Sequence, residues 1–323
     1  MGRKVNSKMT VFLSTLNQMA FLMLLIAIGF ILCRFKIIPD NASMLLSKLE
    51  NNVFIPALVL GTFMQNFTIK KMGTAWQYIL CGLVVVVISM PLAIGLSHIS
   101  SKDSYIRKIY TYGLSFSNFG FMGNAVVKAL FPDIFMEYLI FVLPFWFFIY
   151  VWGVPSLLIS SENGNKSFKD SLKNLINPMF IAMFIGMILG LSDKIKIPEF
   201  LNSAVTTLGD CMSPVAMLLT GITIAKIDLI KTFKNISVYW VSVIRLFIIP
   251  LAAVGVLTFL PLDYGLALCT VCSLAMPLGL NTIVVPSAYG KDTSVAAGMA
   301  LISHLMSCIS IPVVFMIFNF VVK

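Results

Sequence analysis

Two short stretches hold residue types that could receive a small anion inside an otherwise apolar chain. The first runs Ser117-Asn118-Phe119-Gly120-Phe121-Met122-Gly123-Asn124, and the second Met276-Pro277-Leu278-Gly279-Leu280-Asn281. Each interrupts a long hydrophobic segment near its middle. Glycine lets the backbone leave a helix, and proline removes a donor. In lipid the freed N–H and C=O groups are costly, so a break must face protein or a wet cavity. The half-helix that restarts after a break carries partial positive charge and open N–H donors, which suits a carboxylate. A single break reads most simply as a packing kink. Two at corresponding places, each with an asparagine beside it, point to a binding site. The candidate substrate contacts are Ser117, Asn118, Asn124, Pro277, Gly279 and Asn281.

Ionisable side chains inside apolar segments are expensive and raise a functional question by default. Here they are Lys48, Glu50, Lys128, Asp210, Arg245 and His304. Glu50 and Asp210 each precede a proline in related segments, and their functional reading is coupling to protons or sodium. The alternatives are a structural pair with Lys48 or Arg245, or the wall of an aqueous vestibule. Glu50 is expected nearer the interface, where charge costs less. Arg245 could pair with Asp210 or hold a carboxylate in its planar fork; snorkelling to the interface is the competing reading. Lys128 is expected as an anchor near a helix end.

His304 and Cys308 lie one turn apart, and Cys269 and Cys272 form a CxxC pair. No third or fourth ligand stands near either pair, so apolar packing by the cysteines and a hydrogen-bonded histidine is the expectation, with no metal. The aromatic run Phe145-Trp146-Phe147-Phe148, with Tyr150 and Trp152, is expected to face lipid and to pack, with stacking on a flat substrate as the alternative. Walker A, HExxH and GxSxG signatures are missing from the sequence. Neither an enzyme nor an ATP-driven pump is expected, and no cofactor.

These residues sit in a chain of 323 with 59% apolar and 11% charged residues and a mean hydropathy of +0.96. Soluble domains carry about 25% charged residues, so this composition is that of a polytopic membrane protein. The net charge of +10 (23 basic, 13 acidic) is dispersed over short loops rather than gathered on a face, which argues against nucleic acid as a partner. The six cysteines are isolated in apolar runs and do not form a secreted disulfide framework. A bilayer needs roughly 20 apolar residues per helix. On that rule ten segments appear, at about 11–33, 43–66, 75–97, 108–131, 134–160, 175–192, 199–224, 236–259, 263–289 and 293–322. The first is read as a transmembrane helix, because no small-x-small cleavage site follows it.

The most polar linker, 161–174, leaves five segments on each side. Pro39 and Pro198 lie 159 residues apart, as do Leu49 and Leu208; Pro56 and Pro214 lie 158 apart, and Asn124 and Asn281 157. An odd number of spans per half forces the halves to enter the membrane in opposite directions. The expectation is an all-α fold of ten transmembrane helices in two inverted five-helix repeats, 1–160 and 175–323, with helices four and nine broken and crossing. That is the plan of many secondary transporters. Loops on the side of the N-terminus carry eight Lys and Arg residues and the opposite loops twelve, which puts both termini outside the cytoplasm.

Asn118-Phe-Gly-Phe-Met-Gly-Asn-Ala-Val-Val-Lys128 resembles the fourth-helix motif of the auxin efflux carrier family, whose plant members are the PIN auxin exporters. Ala275-Met-Pro277-Leu-Gly279, then Ser287-Ala-Tyr-Gly-Lys-Asp and a last helix, resembles that family's ninth and tenth helices. The runs from Ile55 (IPALVLGTF) and Ser213 (SPVAMLLTGITIA) are similar to its second and seventh. The resemblance implies a scaffold of helices one, two, six and seven, and a transport unit of helices three to five and eight to ten. It implies transport of an organic anion, such as auxin, malate or malonate, across the plasma or inner membrane, and a homodimer through the scaffold. Asn118 matches the asparagine that meets the substrate carboxylate, and Pro277 the ninth-helix crossing proline. Ala125 stands where the family usually has the other crossing proline. A family asparagine early in helix two falls on Ser47, with Asn51 and Asn52 about a turn later as that helix's candidates. The rival readings are a sodium- or proton-coupled carrier of the bile-acid type, which wants acidic residues at the crossing, a membrane sensor that moves nothing, and a channel.

Overall fold

The computed structural model describes residues 2–39, 41–159, 176–192, 197–288 and 293–322. The linker 161–174 and Lys194, Lys196 and Lys291 lie outside the described residues. The protein is all-helical, with 85% of it in helix and no strands among the described residues. Lipid supplies no hydrogen-bond partners, so a chain this apolar must satisfy its backbone within helices. In order these are α1 (Gly2–Arg34), α2 (Ala42–Leu49), α3 (Ile55–Asn66), α4 (Ile69–Ser100), α5 (Ser104–Ser115), α6 (Asn124–Leu130), α7 (Phe135–Phe141), α8 (Leu143–Phe148), α9 (Pro178–Leu191), α10 (Glu199–Ile224), α11 (Leu229–Lys234), α12 (Ile236–Val243), α13 (Ile249–Leu257), α14 (Tyr264–Leu274), α15 (Asn281–Ala288) and α16 (Ser294–Val321).

Among the described residues six helical stretches are long and apolar enough to cross a membrane: Phe12–Arg34, Gly73–Ser100, Pro132–Leu158, Glu199–Ile224, Ile236–Leu257 and Ser294–Val321. The fourth and ninth sequence segments fall short because each is divided in two. The sixth is 14 residues long. Acidic residues in the short connections are spent on helix starts. Asp103 accepts from the Ile106 N–H at 2.8 Å, Asp228 from Ile230 at 3.0 Å and Asp263 from Gly265 at 2.9 Å, each satisfying a donor that the first turn leaves open.

Helices α1, α3, α9 and α10 pack through glycine. A side chain at Gly29 of α1 would strike the Leu218 carbonyl of α10, and one at Gly221 of α10 would strike the Ile26 carbonyl of α1. Gly186 and Gly190 of α9 lie against the backbone of Leu60 and Phe63, and Gly209 of α10 against that of Leu58. Lipid tails are as apolar as leucine, so such helices associate by close backbone approach rather than by hydrophobic burial. Elsewhere the surface is apolar: Leu80, Leu83, Val84, Val87 and Ile88 of α4 are exposed, as a lipid-facing stripe requires.

One expectation is corrected here. The aromatic run of the fifth segment does not face lipid as a whole. Phe145 and Trp146 are buried, and Phe119 packs against both rings at centroid distances of 5.4 and 5.1 Å. The residue after the first break takes up the aromatic faces that the pattern alone left unassigned.

Two glycine substitutions separate close packing from glycine's intrinsic effect on a helix. Gly221→Ala is expected to cost about 1–3 kcal/mol as an overpacking change and to lower the thermal midpoint of the detergent-purified protein. Gly255→Ala, where a side chain meets nothing within 4 Å, is expected to leave that midpoint unchanged or raise it.

Candidate functional site

Helix α5 stops at Ser115, and Phe116 leaves it in an extended conformation at φ −120°, ψ 108°. Helix α14 stops at Leu274, and the chain stays non-helical until Asn281. The two interruptions meet. Ser117 pairs with Leu278 as an isolated antiparallel bridge, and the Asn118 N–H donates to the Pro277 carbonyl at 2.7 Å. The Ser117 hydroxyl donates to the Ser273 carbonyl at 2.6 Å. Gly279 is needed for this approach, because any Cβ there would sit 2.8 Å from the Phe116 carbonyl oxygen. Each broken helix thus supplies part of what the other lost.

The helix resumes after Asn118 as a wide π-helical turn, Phe119–Gly123, before α6. The Asn118 side-chain oxygen accepts from the Met122 N–H at 3.4 Å. The break therefore lies at Phe116–Asn118, upstream of the Gly123-Asn124-Ala125 run. Ala125 is already inside α6, and the interruption forms without a proline because Asn118 caps the restart.

Arg245 corrects the sequence reading. It neither snorkels nor pairs with Asp210. It is 0% exposed and sits in a π-helical turn, Ile244–Ile248. Its guanidinium donates to the carbonyls of Leu114 at 3.0 Å, Ser273 at 3.2 Å and Met276 at 3.3 Å. Leu114 and Ser273 are in the last turns of α5 and α14, and Met276 follows directly. Carbonyls left open there carry the negative end of each helix dipole, and one cation serves both.

A cleft flanks the crossing, lined by Tyr112, Ser117, Asn118, Trp146, Gly279 and Asn281 among others. Phe119, Gly120, Leu280 and Asn281, also on its wall, open the restarting halves, where N–H groups lack a carbonyl within their own helix. The Asn281 amide donates to the Tyr112 hydroxyl at 3.0 Å. The cleft's volume is about 10 Å³, room for one water. A larger cavity of about 190 Å³ lies elsewhere, walled by Thr62, Gln65, Asn66, Lys128, Asp133 and Thr206. The crossing is the stronger candidate despite its smaller volume, because irregular backbone and buried amides converge there. No residue of either interruption lines the larger cavity, whose walls come from α3, α10 and the chain between Lys128 and Met136.

The remaining candidates fall as follows. Asn124 is buried on α6, and its side-chain oxygen has no partner among the described residues. Asn51 and Asn52 are exposed and donate back to Ser47 at 2.9 Å and Lys48 at 2.8 Å. Glu50, expected near the interface, is 0% exposed; it opens a π-helical turn, and neither oxygen has a hydrogen-bond partner among the described residues. Asp210 pairs with Lys128 at 2.5 Å, both about half exposed, so Lys128 joins α6 to α10 rather than anchoring to the interface. Among the described residues no three His, Cys, Asp or Glu side chains gather as metal ligands. Tyr112 and His304 were not singled out for the site, yet Tyr112 holds Asn281 and His304 holds Asn118 at 3.0 Å. The only signal for His304 was its cost inside an apolar helix.

A family model described as "Membrane transport protein" matches residues 14–315. A search of curated proteins finds no match to the chain.

Removing the Arg245 guanidinium takes the side-chain donor from the Leu114 and Met276 carbonyls and leaves Ser273 with the Ser117 hydroxyl alone. Arg245→Met is expected to cost about twice the 1–3 kcal/mol of one unsatisfied group, seen as a large drop in thermal midpoint. Arg245→Lys, a point charge without the planar fork, is expected to recover only part of it.

Proposed function

Since the chain belongs to the auxin efflux carrier family of membrane transport proteins, we propose that it is a secondary transporter carrying a small organic anion by alternating access. The family indicates a multi-pass membrane transporter with a transported substrate, acting within a lipid bilayer. The finer reading rests on the crossing. Two interrupted helices meet there with amides, hydroxyls and open N–H groups, and among the described residues no carboxylate lines the cleft. Open N–H donors at the start of a helix suit an anion. The bile-acid type of carrier, with acidic residues at the crossing, fits this donor set less well.

In this reading the ten sequence segments span the bilayer as two inverted five-helix repeats. The glycine-packed group α1, α3, α9 and α10 corresponds to the static scaffold, and the crossing is carried by the moving unit. The cleft's small volume describes a closed state. The anion reaches it only when the moving unit shifts, and the cavity beside Lys128 and Asp210 is the vestibule that this shift would extend. The carboxylate would take the donors around Asn118 and Asn281. Glu50 and Asp210 are the candidates for proton or sodium coupling. A homodimer through the scaffold and a plasma or inner membrane location, with both termini outside, complete the proposal.

Uptake of radiolabelled malate, malonate and auxin into proteoliposomes tests it. The wild type is expected to carry at least one of them. Asn118→Ala is expected to reduce that flux by about tenfold or more, the scale of one lost charge-assisted hydrogen bond, with normal membrane insertion. Full transport by this variant would remove the crossing from the mechanism.

A further inference from the structure

Helix α16 passes directly behind the crossing. The Ser303 hydroxyl accepts from the Leu278 N–H at 3.4 Å, and the next residue, His304, meets Asn118. His304 is 1% exposed and Asn118 1%. The ring Nδ1 lies 2.7 Å from the Ala300 carbonyl, and a carbonyl can only accept, so Nδ1 carries the proton. The ring Nε2 lies 3.0 Å from the Asn118 amide nitrogen, which can only donate, so Nε2 accepts. These two contacts assign the Nδ1–H tautomer.

The same contacts assign the amide. Asn118 has its oxygen on the Met122 N–H and its nitrogen on His304. A flipped amide would set nitrogen against the Met122 donor and oxygen against a bare imidazole nitrogen, losing both bonds. The amide therefore faces the cleft in one orientation, with one N–H used by the histidine and the other left over. Asparagine alone is a switchable group, as ready to show an acceptor as a donor. What makes it a donor here lies 186 residues further along the chain.

We propose that His304 is a positioning residue for anion recognition: its Nε2 holds the Asn118 amide so that an N–H, and not the carbonyl oxygen, is presented to the carboxylate. This rests on the transport reading above and adds the group that sets the polarity of its site. Leucine at 304 removes the acceptor. Glutamine can place its side-chain oxygen near the position of Nε2 and accept from Asn118 again.

The test has two arms. In proteoliposomes, His304→Leu is expected to raise the KM for malate, or for whichever of malate, malonate and auxin the wild type carries, by about tenfold, with the maximal rate much less affected. His304→Gln is expected to bring KM back to within about threefold of wild type. A merely structural role predicts fewer active molecules at an unchanged KM; that result, or a raised KM that glutamine does not restore, overturns the proposal. The second arm needs no transport. The chain has two histidines, so 15N-histidine NMR of the exposed-site variant His98→Gln reports His304 alone. The expected spectrum is the Nδ1–H tautomer, with the Nε2 resonance shifting when Asn118→Ala is added. An Nε2–H tautomer, or an Nε2 resonance indifferent to Asn118, overturns the proposal. Wild-type vesicles that carry none of the three acids would instead remove the transport reading, and the NMR arm would then decide the Asn118–His304 pairing alone.

Discussion

Inside a bilayer, a backbone N–H or C=O that leaves its helix has no water to turn to, and this chain breaks two of its apolar helices. It meets the cost by bringing the breaks together. The bridge between Ser117 and Leu278, the Asn118–Pro277 bond, the Ser117–Ser273 bond and the three carbonyls held by Arg245 are all answers to the same problem. Either interruption alone would leave its polar groups facing hydrocarbon. The crossing is therefore a cooperative unit, and the surrounding helices are arranged so that the two breaks coincide.

Charge at the crossing follows from helix polarity. Two helices end there and two begin, so negative and positive dipole ends lie side by side. Arg245 occupies the side where helices end, and each of its three guanidinium nitrogens donates to a carbonyl. The side where helices begin keeps its open N–H groups and the amides of Asn118 and Asn281. A fixed cation thus lies on one side and open donors on the other, and among the described residues no carboxylate lines the cleft. Three of the buried polar positions also involve π-helical turns: Glu50 opens one, Arg245 sits in another, and Asn118 caps a third. A π turn widens the helix by one residue and re-aims the side chains around it.

Much of this was legible along the chain. The glycines, the proline and the asparagines marked both interruptions, because breaking a helix is a local act that needs local residue types. The composition and the apolar runs announced a polytopic membrane protein for the same reason. Other features were not legible. Arg245 in VSVIRLFIIP reads as a charge that should reach for the interface, and nothing nearby announces the Leu114 carbonyl 131 residues away. Asp210 could have met Arg245 on sequence grounds, and Lys128 took it instead. Asn51 and Asn52 looked like neighbours of a site but bond to their own helix.

The sequence by itself determined that the chain is helical, that it belongs in lipid, and where two of its helices are interrupted, since each depends on hydropathy or backbone freedom within a few residues. Only the tertiary structure decided that the interruptions meet, which carbonyls Arg245 serves, and which way the Asn118 amide points. Those are contacts between residues far apart in the chain. An amide, an imidazole or a guanidinium has no direction until its partner is in place.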